Sequence, residues 1–272
     1  VYLDAADRFQ LRDDLYLSGR VTRLEDLYQY SPSFAVAFTP FLALPPTAVA
    51  VLHTLFHLAA YALLYVSWYR IFRRLGLIRA EEMLIWTLPV WLLFPDFWSD
   101  LGYLNIYVAM ALLCTLLIEA ILEQRLGRSL LWLSLILQTK PQWAVVAAVP
   151  LFLGRQRFFF QLIGLAVAAY AFVMSLTAII SGPAYAIGQY VDYARLLSRL
   201  SRVFPWRGPE SSFLGYNHSV KQVVVYLLGA SPGTFRLARG IKAVLLVPLT
   251  LVGFRHVWRP LERGGHELSR LS

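Results

Sequence analysis

The chain has 272 residues, of which 58% are hydrophobic and 15% are charged. Soluble domains have about 45–50% apolar and about 25% charged residues, so this composition excludes an ordinary soluble domain and predicts a polytopic membrane protein. The net charge of +9 does not indicate a nucleic-acid partner, because the basic residues collect at the ends of apolar runs. That placement is typical of membrane topology and of contact with anionic lipids.

The N-terminal segment, residues 1–33, is polar and mixed in charge. It predicts an external loop with an amphipathic helix at its start. The apolar run Phe34–Leu44 follows, and its length suits a half-helix that dips into the membrane rather than a span. Because the chain starts at Val1 and not at Met, we expect a fragment that lacks at least one preceding transmembrane helix.

About seven hydrophobic segments are expected to enter the membrane, and about five of them are long enough to cross it. Arginines follow the first of these spans and mark its cytoplasmic end, so the segment Pro95–Asp100 is predicted to be an external loop. Pro89 is a candidate kink. The full-length spans are predicted at Ala48–Tyr69, Glu82–Phe94, Tyr103–Leu122, Phe158–Ile180 and Ala238–Val257.

The stretch Gln138–Trp143 separates two apolar runs that are each too short to span a bilayer. Pro141 has no backbone N–H and disfavours a helical conformation at Lys140, so the helix is predicted to break here. A helix break at membrane depth is tolerated where it is buried in protein or lines a wet cavity. Lys140 is therefore a functional candidate, and the alternative is a lysine that reaches the interface from a loop.

The segment 182–235 is predicted to be external, with an interfacial helix whose basic face carries Arg195, Arg199 and Arg202. Such a face is typical of lipid-headgroup contact. The positive-inside rule does not explain basic residues on the external side, so the alternative is a ligand that bears a phosphate. The whole chain is predicted to be one transmembrane domain: external loop 1–33, helical membrane core 34–181, external loop 182–235, and last span with cytoplasmic tail 236–272.

Four external segments are expected to converge: the first loop up to Tyr30, Asp96–Asn105, Lys140–Trp143 and Tyr216–Lys221. Together they offer cations for a phosphate, side chains for proton transfer, and rings and amides for a sugar. The predicted phosphate ligands are Lys140, Lys221 and Arg207. His218 is predicted to be catalytic, and the predicted substrate-binding residues are Tyr30, Asn105, Gln142, Trp143 and Asn217.

Several polar residues also have purely structural interpretations. Asp96 and Asp100 suit loop caps, and Asn217 suits the cap of the helix that follows it. His53 and His57 stand four residues apart, a spacing that can bind a metal, but the sequence offers no evident third ligand. No metal site is therefore predicted.

The order of motifs resembles glycosyltransferase family 87, membrane enzymes of the GT-C type that include the polyprenol-phosphate-mannose-dependent mannosyltransferases. Three of the motifs differ from the family pattern at one position each, where Ser31 replaces Pro, Tyr103 replaces Gln and His218 replaces Gln, and the resemblance rests on the order and spacing of the motifs. The motifs are Val1-Tyr2 with Ala5-Ala6 and Leu15-Tyr16, Tyr30-Ser31-Pro32 leading to Pro40-Phe41 and Leu44-Pro45, Gly102-Tyr103-Leu104-Asn105, Lys140-Pro141 followed by Arg155-Gln156-Arg157, and Asn217-His218-Ser219.

The resemblance implies an all-α GT-C-like helix bundle with broken or re-entrant helices and an external active site. It implies a polyprenyl-phosphate sugar as donor, a lipid or glycan as acceptor, and no required metal or other cofactor. It also implies a catalytic aspartate in the first external loop. By the spacing of the motifs that residue lies before Val1, and Asp4 is the nearest substitute within the chain.

The function implied is therefore transfer of a sugar, with mannose expected, at the external face of a bacterial plasma membrane. The competing hypothesis is a multi-pass lipid or glycolipid carrier or flippase without enzymatic activity, because transporters also have broken helices with polar residues near the midplane. A transporter more often shows paired repeats, and the sequence has none that we detect.

Overall fold

The computed structural model describes residues 1–16, 28–203, 206–212 and 219–268, and within these ranges the chain forms helices and no strands. This confirms the predicted all-α fold of a polytopic membrane protein. The helices are α1 (Tyr2–Gln10), α2 (Pro32–Phe38), α3 (Pro46–Arg74), α4 (Ile78–Trp86), α5 (Leu88–Leu92), α6 (Pro95–Gly102), α7 (Tyr107–Leu122), α8 (Leu126–Thr139), α9 (Val149–Phe152), α10 (Gln156–Ser181), α11 (Pro183–Val203), α12 (Val220–Leu228) and α13 (Pro232–Leu268). Two 3-10 helices, Thr39–Ala43 and Pro141–Ala148, follow α2 and α8.

The chain divides into two compact units at Ser198 and Arg199. The first contains α1 to α10 and most of α11, and the second contains α12 packed against α13. The boundaries predicted within a single transmembrane domain stay a prediction.

Two of the described helices, α3 and α10, are long and apolar enough to cross a membrane. The segment Leu88–Gly102 and α7 form a third candidate span, which bends by 116° at a short break. The expectation of about five full-length spans is therefore higher than the described residues support. Lengths of 29 residues for α3 and 26 for α10 agree with the spans predicted at Ala48–Tyr69 and Phe158–Ile180.

The segment predicted as a return span, Glu82–Phe94, is not one continuous helix: α4 ends at Trp86 and the short helix α5 begins at Leu88, next to Pro89, the predicted kink. At the end of α4 the Thr87 hydroxyl donates to the carbonyl oxygens of Met83 and Leu84, and so satisfies backbone acceptors of the last turn. Pro89 brings no backbone N–H, and it fits the first turn of α5, where none is needed.

The loop conformation predicted at Pro95–Asp100 is wrong, since these residues form α6, and the external position of the segment stays a prediction. Pro95 is well placed at the first position of this helix. Phe97 is buried and stacks on Tyr61 of α3 with ring centroids 3.9 Å apart. Packing on α3 therefore fixes a segment that local turn residues alone would leave as a loop.

Helix α7 lies at the centre of the first unit, where it packs against α3 and α8. Its sequence is apolar on every side, which is the pattern of a helix with neighbours all round. Val108 and Leu112 of α7 pack with Ala60 and Leu64 of α3 in a buried cluster. The two ends of α7 are the places where charged side chains collect.

The predicted break after Thr139 is confirmed. Helix α8 ends at Thr139, Lys140 has an extended backbone (φ −138°, ψ 89°), and a 3-10 helix begins at Pro141. The backbone thus leaves the helical conformation at Lys140, as expected for the residue before a proline.

Candidate functional site: a buried lysine beside two tyrosines

Lys140 is 3% exposed, and its ammonium lies over two tyrosine rings. The distances from Nζ to the ring centroids are 4.6 Å for Tyr30 and 4.2 Å for Tyr107. Among the described residues no carboxylate forms an ion pair with this group. Cation–π contacts contribute about 0.5–2 kcal/mol each, less than the several kcal/mol that it costs to bury an ammonium. The arrangement is therefore suited to receive an anion. We call Lys140, Tyr30 and Tyr107 the lysine cage.

The start of α2 docks directly on the end of α8 and so brings Tyr30 to Lys140. The backbone N–H of Ser31 donates to the carbonyl oxygen of Thr139 at 3.3 Å. The Ser33 hydroxyl donates to Oε1 of Gln138 at 2.5 Å. Because these bonds join segments far apart in sequence, the lysine cage is a tertiary arrangement that both segments hold in place.

Tyr2 extends the aromatic surface of the lysine cage. Its hydroxyl lies 2.9 Å from that of Tyr30, and the two rings meet edge to face. Burial raises the pKa of both Tyr2 and Tyr30 well above the usual value for tyrosine, and the charge of Asp100 adds to both increases. The two hydroxyls therefore stay neutral and offer hydrogen bonds rather than charge.

The structure brings some of the predicted substrate-binding residues near the lysine cage. Trp143 lies on the 3-10 helix after Lys140, with its ring 6.3 Å from that of Tyr107. Asn105 lies in the connection between α6 and α7, two residues before Tyr107, and its backbone N–H donates to the carbonyl oxygen of Asp100. Gln142 is exposed on the 3-10 helix.

The other predicted residues lie elsewhere. Lys221 belongs to the second unit, where its ammonium lies 4.3 Å from the ring centroid of Trp206 and 4.5 Å from that of Phe235. Burial and the nearby charge of Arg239 lower the pKa of Lys221. Arg207 is in the same unit, and its carbonyl oxygen accepts a hydrogen bond from Gln222. Asn217 and His218 lie outside the described residues.

Asp4, the weak substitute for the catalytic aspartate, serves as the partner of a buried arginine. Its side chain is 65% exposed, and Oδ2 accepts from Nη2 of Arg8 at 2.6 Å within α1. Arg8 also donates to the carbonyl oxygen of Leu15. This ion pair lies within α1, and the catalytic role of Asp4 stays a prediction.

A second polar cluster, which sequence reasoning did not assemble, contains His53 and His57 of α3 and Asp100 of α6. The two imidazole rings stack with centroids 4.2 Å apart, and Nε2 of His57 lies 3.4 Å from Oδ2 of Asp100. The same Oδ2 accepts the backbone N–H of Val108 and so caps the first turn of α7. The i,i+4 histidine spacing was a signal for this cluster. The sequence did not indicate that Asp100 belongs to this cluster, because its segment was predicted to be a loop.

Within the described ranges, no three histidine, cysteine, aspartate or glutamate side chains converge as a metal site. The cluster of His53, His57 and Asp100 contains several buried polar atoms without a hydrogen bond within the described residues. Together with the lysine cage it offers a cation, neutral hydroxyls, aromatic faces and a carboxylate.

Comparison with known proteins gives one match. The model of glycosyltransferase family 87 matches residues 28–271. This range contains α2, the helix break and the predicted phosphate ligands Lys140, Lys221 and Arg207. No curated protein and no solved structure matches the chain significantly.

Proposed function

This chain belongs to glycosyltransferase family 87, and from that premise we propose that it transfers a hexosyl group from a polyprenyl-phosphate donor to a lipid or glycan acceptor. Family membership and the apolar helices make it a membrane glycosyltransferase. Mannose is the sugar that we propose, and the external face of a bacterial plasma membrane is the proposed place of transfer. Family membership favours this activity over a carrier or flippase.

The observation that carries the proposal is the buried ammonium of Lys140. It is 3% exposed and lies beside aromatic rings, with no carboxylate partner among the described residues. An intramembrane charge without a partner is costly. Because no carboxylate of the described residues pairs with this ammonium, a bound phosphate would form the ion pair that it lacks. A phosphodiester attached to a polyprenyl chain has the required charge, and its chain remains in the membrane.

The proposed reaction forms a bond between an acceptor hydroxyl oxygen and the anomeric carbon, and breaks the bond between that carbon and the phosphate oxygen. The acceptor proton passes to a base, for which His218 stays our candidate. The polyprenyl phosphate leaves with one more negative charge than it had in the donor. Lys140 is placed to stabilise that developing charge, which is the most effective form of transition-state stabilisation available to a fixed cation.

The test is transfer from radiolabelled polyprenyl-phosphate mannose, with a membrane lipid extract as acceptor, by membranes that contain the wild-type protein. We expect a labelled lipid product, which Lys140→Met abolishes or nearly abolishes. Lys242→Met is the matched control, because Lys242 is an exposed lysine of α13. Replacement of the donor by a nucleotide sugar should give no product.

Two outcomes would contradict the proposal. If a well-folded wild-type protein transfers no sugar from any polyprenyl-phosphate hexose to a broad acceptor pool, the transferase assignment fails and the carrier becomes the better account. If transfer occurs but Lys140→Met and Lys242→Met are equally active, the phosphate binds elsewhere.

A further inference from the structure

His57 lies between His53 and Asp100. Its Nδ1 is 3.3 Å from the carbonyl oxygen of His53, and its Nε2 is 3.4 Å from Oδ2 of Asp100. Nε2 makes no hydrogen bond within the described residues. The buried imidazole therefore packs directly against the carboxyl group of Asp100.

The contact with His57 and the α7 cap involve the same carboxyl oxygen. Oδ2 of Asp100 faces His57 and also accepts from the Val108 backbone N–H at 3.0 Å. Oδ1 makes no hydrogen bond within the described residues, although Asp100 is only 6% exposed. A buried carboxyl oxygen without a hydrogen bond is uncommon and costly, so it calls for a ligand. His57, which is 0% exposed, contacts the other oxygen, Oδ2, and so fixes the direction in which Oδ1 points.

His53 adds two more polar atoms to the same cluster. Neither of its ring nitrogens makes a hydrogen bond to a described residue, although the backbone of Asn105 lies near the ring. The ring stacks between His57, at 4.2 Å, and Tyr2, at 6.5 Å between centroids. It is partly buried, whereas His57 beneath it is fully buried. His53 is thus the more exposed residue of the cluster, although both of its ring nitrogens are buried.

Tyr2 connects this cluster to the lysine cage. Its ring stacks on His53, and its hydroxyl meets that of Tyr30, whose own ring lies under the Lys140 ammonium. Asp100 is close enough for its charge to act on Tyr2 and Tyr30. A ligand whose anionic group binds Lys140 therefore has unused hydrogen-bonding groups within reach of its neighbouring atoms.

We infer that Asp100 Oδ1 and the imidazole of His53 bind hydroxyl groups of the transferred hexose, and that His57 is a positioning residue that orients Asp100. A sugar hydroxyl both donates and accepts, which matches a carboxyl oxygen beside an imidazole. The face of Tyr2 suits the C–H surface of the ring. This inference rests on the proposed function, because the hexose arrives attached to the phosphate that Lys140 binds.

The test compares polyprenyl-phosphate mannose with its monodeoxy analogues, each of which lacks one hydroxyl, in the wild-type protein and in variants. Asp100→Asn weakens the hydrogen-bond acceptor, and His53→Phe keeps a stacked ring without nitrogens. Loss of one charge-assisted hydrogen bond corresponds to a decrease in kcat/KM of about 10-fold to 100-fold. In the wild type, one analogue should have a kcat/KM lower than that of the parent donor by this factor. In Asp100→Asn, the same analogue should differ little from the parent donor, because the hydrogen bond is already lost. A second analogue should show the same pattern with His53→Phe.

His57→Gln tests the positioning role. It should reduce the discrimination against the analogue that reports on Asp100, and leave intact the discrimination that reports on His53. A merely structural role would lower kcat/KM for every donor by the same factor. Asp96→Asn is the matched control, because Asp96 is an exposed carboxylate of the same helix, α6.

Equilibrium binding of the same donors separates failure of this inference from failure of the proposed function. A wild-type protein that binds the donor and discriminates among the analogues without transferring sugar overturns only the proposed function. Equal losses for all analogues, in binding and in transfer, overturn the inference even if transfer is efficient. If Asp100→Asn does not fold because the α7 cap is lost, His53→Phe decides: unchanged discrimination in that variant overturns the inference.

Discussion

The two ends of α7 differ in whether the nearby buried charge is paired. At its first turn, Tyr107 faces the ammonium of Lys140, which has aromatic neighbours but no carboxylate partner among the described residues. Just beyond its last turn, Glu123 forms ion pairs with three arginines: Arg74 at 2.6 Å, Arg125 at 3.2 Å and Arg128 at 3.0 Å. Charges that pair within the protein connect helices, whereas a buried charge left beside rings is available to a ligand.

The electrostatics of Glu123 fit this structural role. Burial alone would raise its pKa, but the hydrogen bond and charge of Arg74, with the charges of Arg125 and Arg128, more than offset burial and lower it. Arg74 is in α3 and Arg128 is in α8, so the carboxylate joins both neighbours of α7. Arg155 adds a further contact there by donating to the carbonyl oxygen of Ile121 at 2.7 Å.

The largest effect is expected from Lys140→Met. This change removes the charge and keeps an apolar chain of similar length, so turnover should fall by about 100-fold or more, as for other losses of fixed transition-state charge. The melting temperature should stay the same or rise, because an unpaired buried charge is removed. Transfer assays and thermal unfolding of the same membrane preparation check both parts. A strong loss of stability would instead show that Lys140 is structural.

Glu123→Gln should give the opposite result, with a loss of stability and near-normal turnover. Removal of a carboxylate shared by three partly exposed arginines should cost about 1–2 kcal/mol. Since the folded-state pKa lies below the unfolded value of about 4.3, the stabilisation is complete above that pH and disappears as pH falls through the lower folded-state value. The difference in melting temperature between wild type and variant should therefore be constant near neutral pH and shrink below pH of about 4.

A difference that persists unchanged in strong acid would show that the Glu123 side chain acts through packing rather than charge. The comparison between the two ends of α7 would then lose its electrostatic basis.

Tyr107 allows the aromatic part of the lysine cage to be tested by itself. Tyr107→Phe keeps the ring beneath the ammonium and should change turnover by less than about 3-fold, whereas Tyr107→Leu removes it and should cost about 5-fold to 10-fold, equivalent to one cation–π contact. Steady-state kinetics with the polyprenyl-phosphate donor measure both. Equal effects of Phe and Leu would mean that the hydroxyl, not the ring face, matters.

The smallest effect is expected at Lys221. Its ammonium also lies over aromatic rings, but it is partly exposed in the second unit, where a lost charge is better replaced by water. Lys221→Gln should therefore lower turnover by only about 2-fold to 3-fold. A loss as large as that of Lys140→Met would make Lys221 the main phosphate ligand.

The sequence was sufficient to predict features that depend on nearby residues. Pro141 fixed the break after Thr139, and apolar length predicted α3 and α10. Local turn signals were misleading at Pro95–Asp100, because stacking of Phe97 on Tyr61 of another helix decides the conformation there. Contacts between distant helices also form the candidate site, so the sequence predicted that site only in part.

Lys140 was recognised as a candidate because it interrupts an apolar sequence, and Tyr30 because it closes the polar first loop and begins a motif of the family resemblance. Tyr107 was missed, since an aromatic residue at the start of a span is typical of any membrane interface. The contact of His57 with Asp100 was missed as well, because it requires α6 to be a helix packed against α3. His218 and Asn217 lie outside the described residues, and their roles stay predictions.

Binding of polyprenyl phosphate to the protein in lipid nanodiscs tests the central claim, that the lysine cage receives the donor phosphate, most directly. The wild type should bind polyprenyl phosphate at least about 10-fold more tightly than Lys140→Met does, while Lys242→Met should bind like the wild type. Uncharged polyprenol should bind weakly and equally to all three proteins. If Lys140→Met binds polyprenyl phosphate as tightly as the wild type, the buried lysine does not hold the phosphate and the account is wrong.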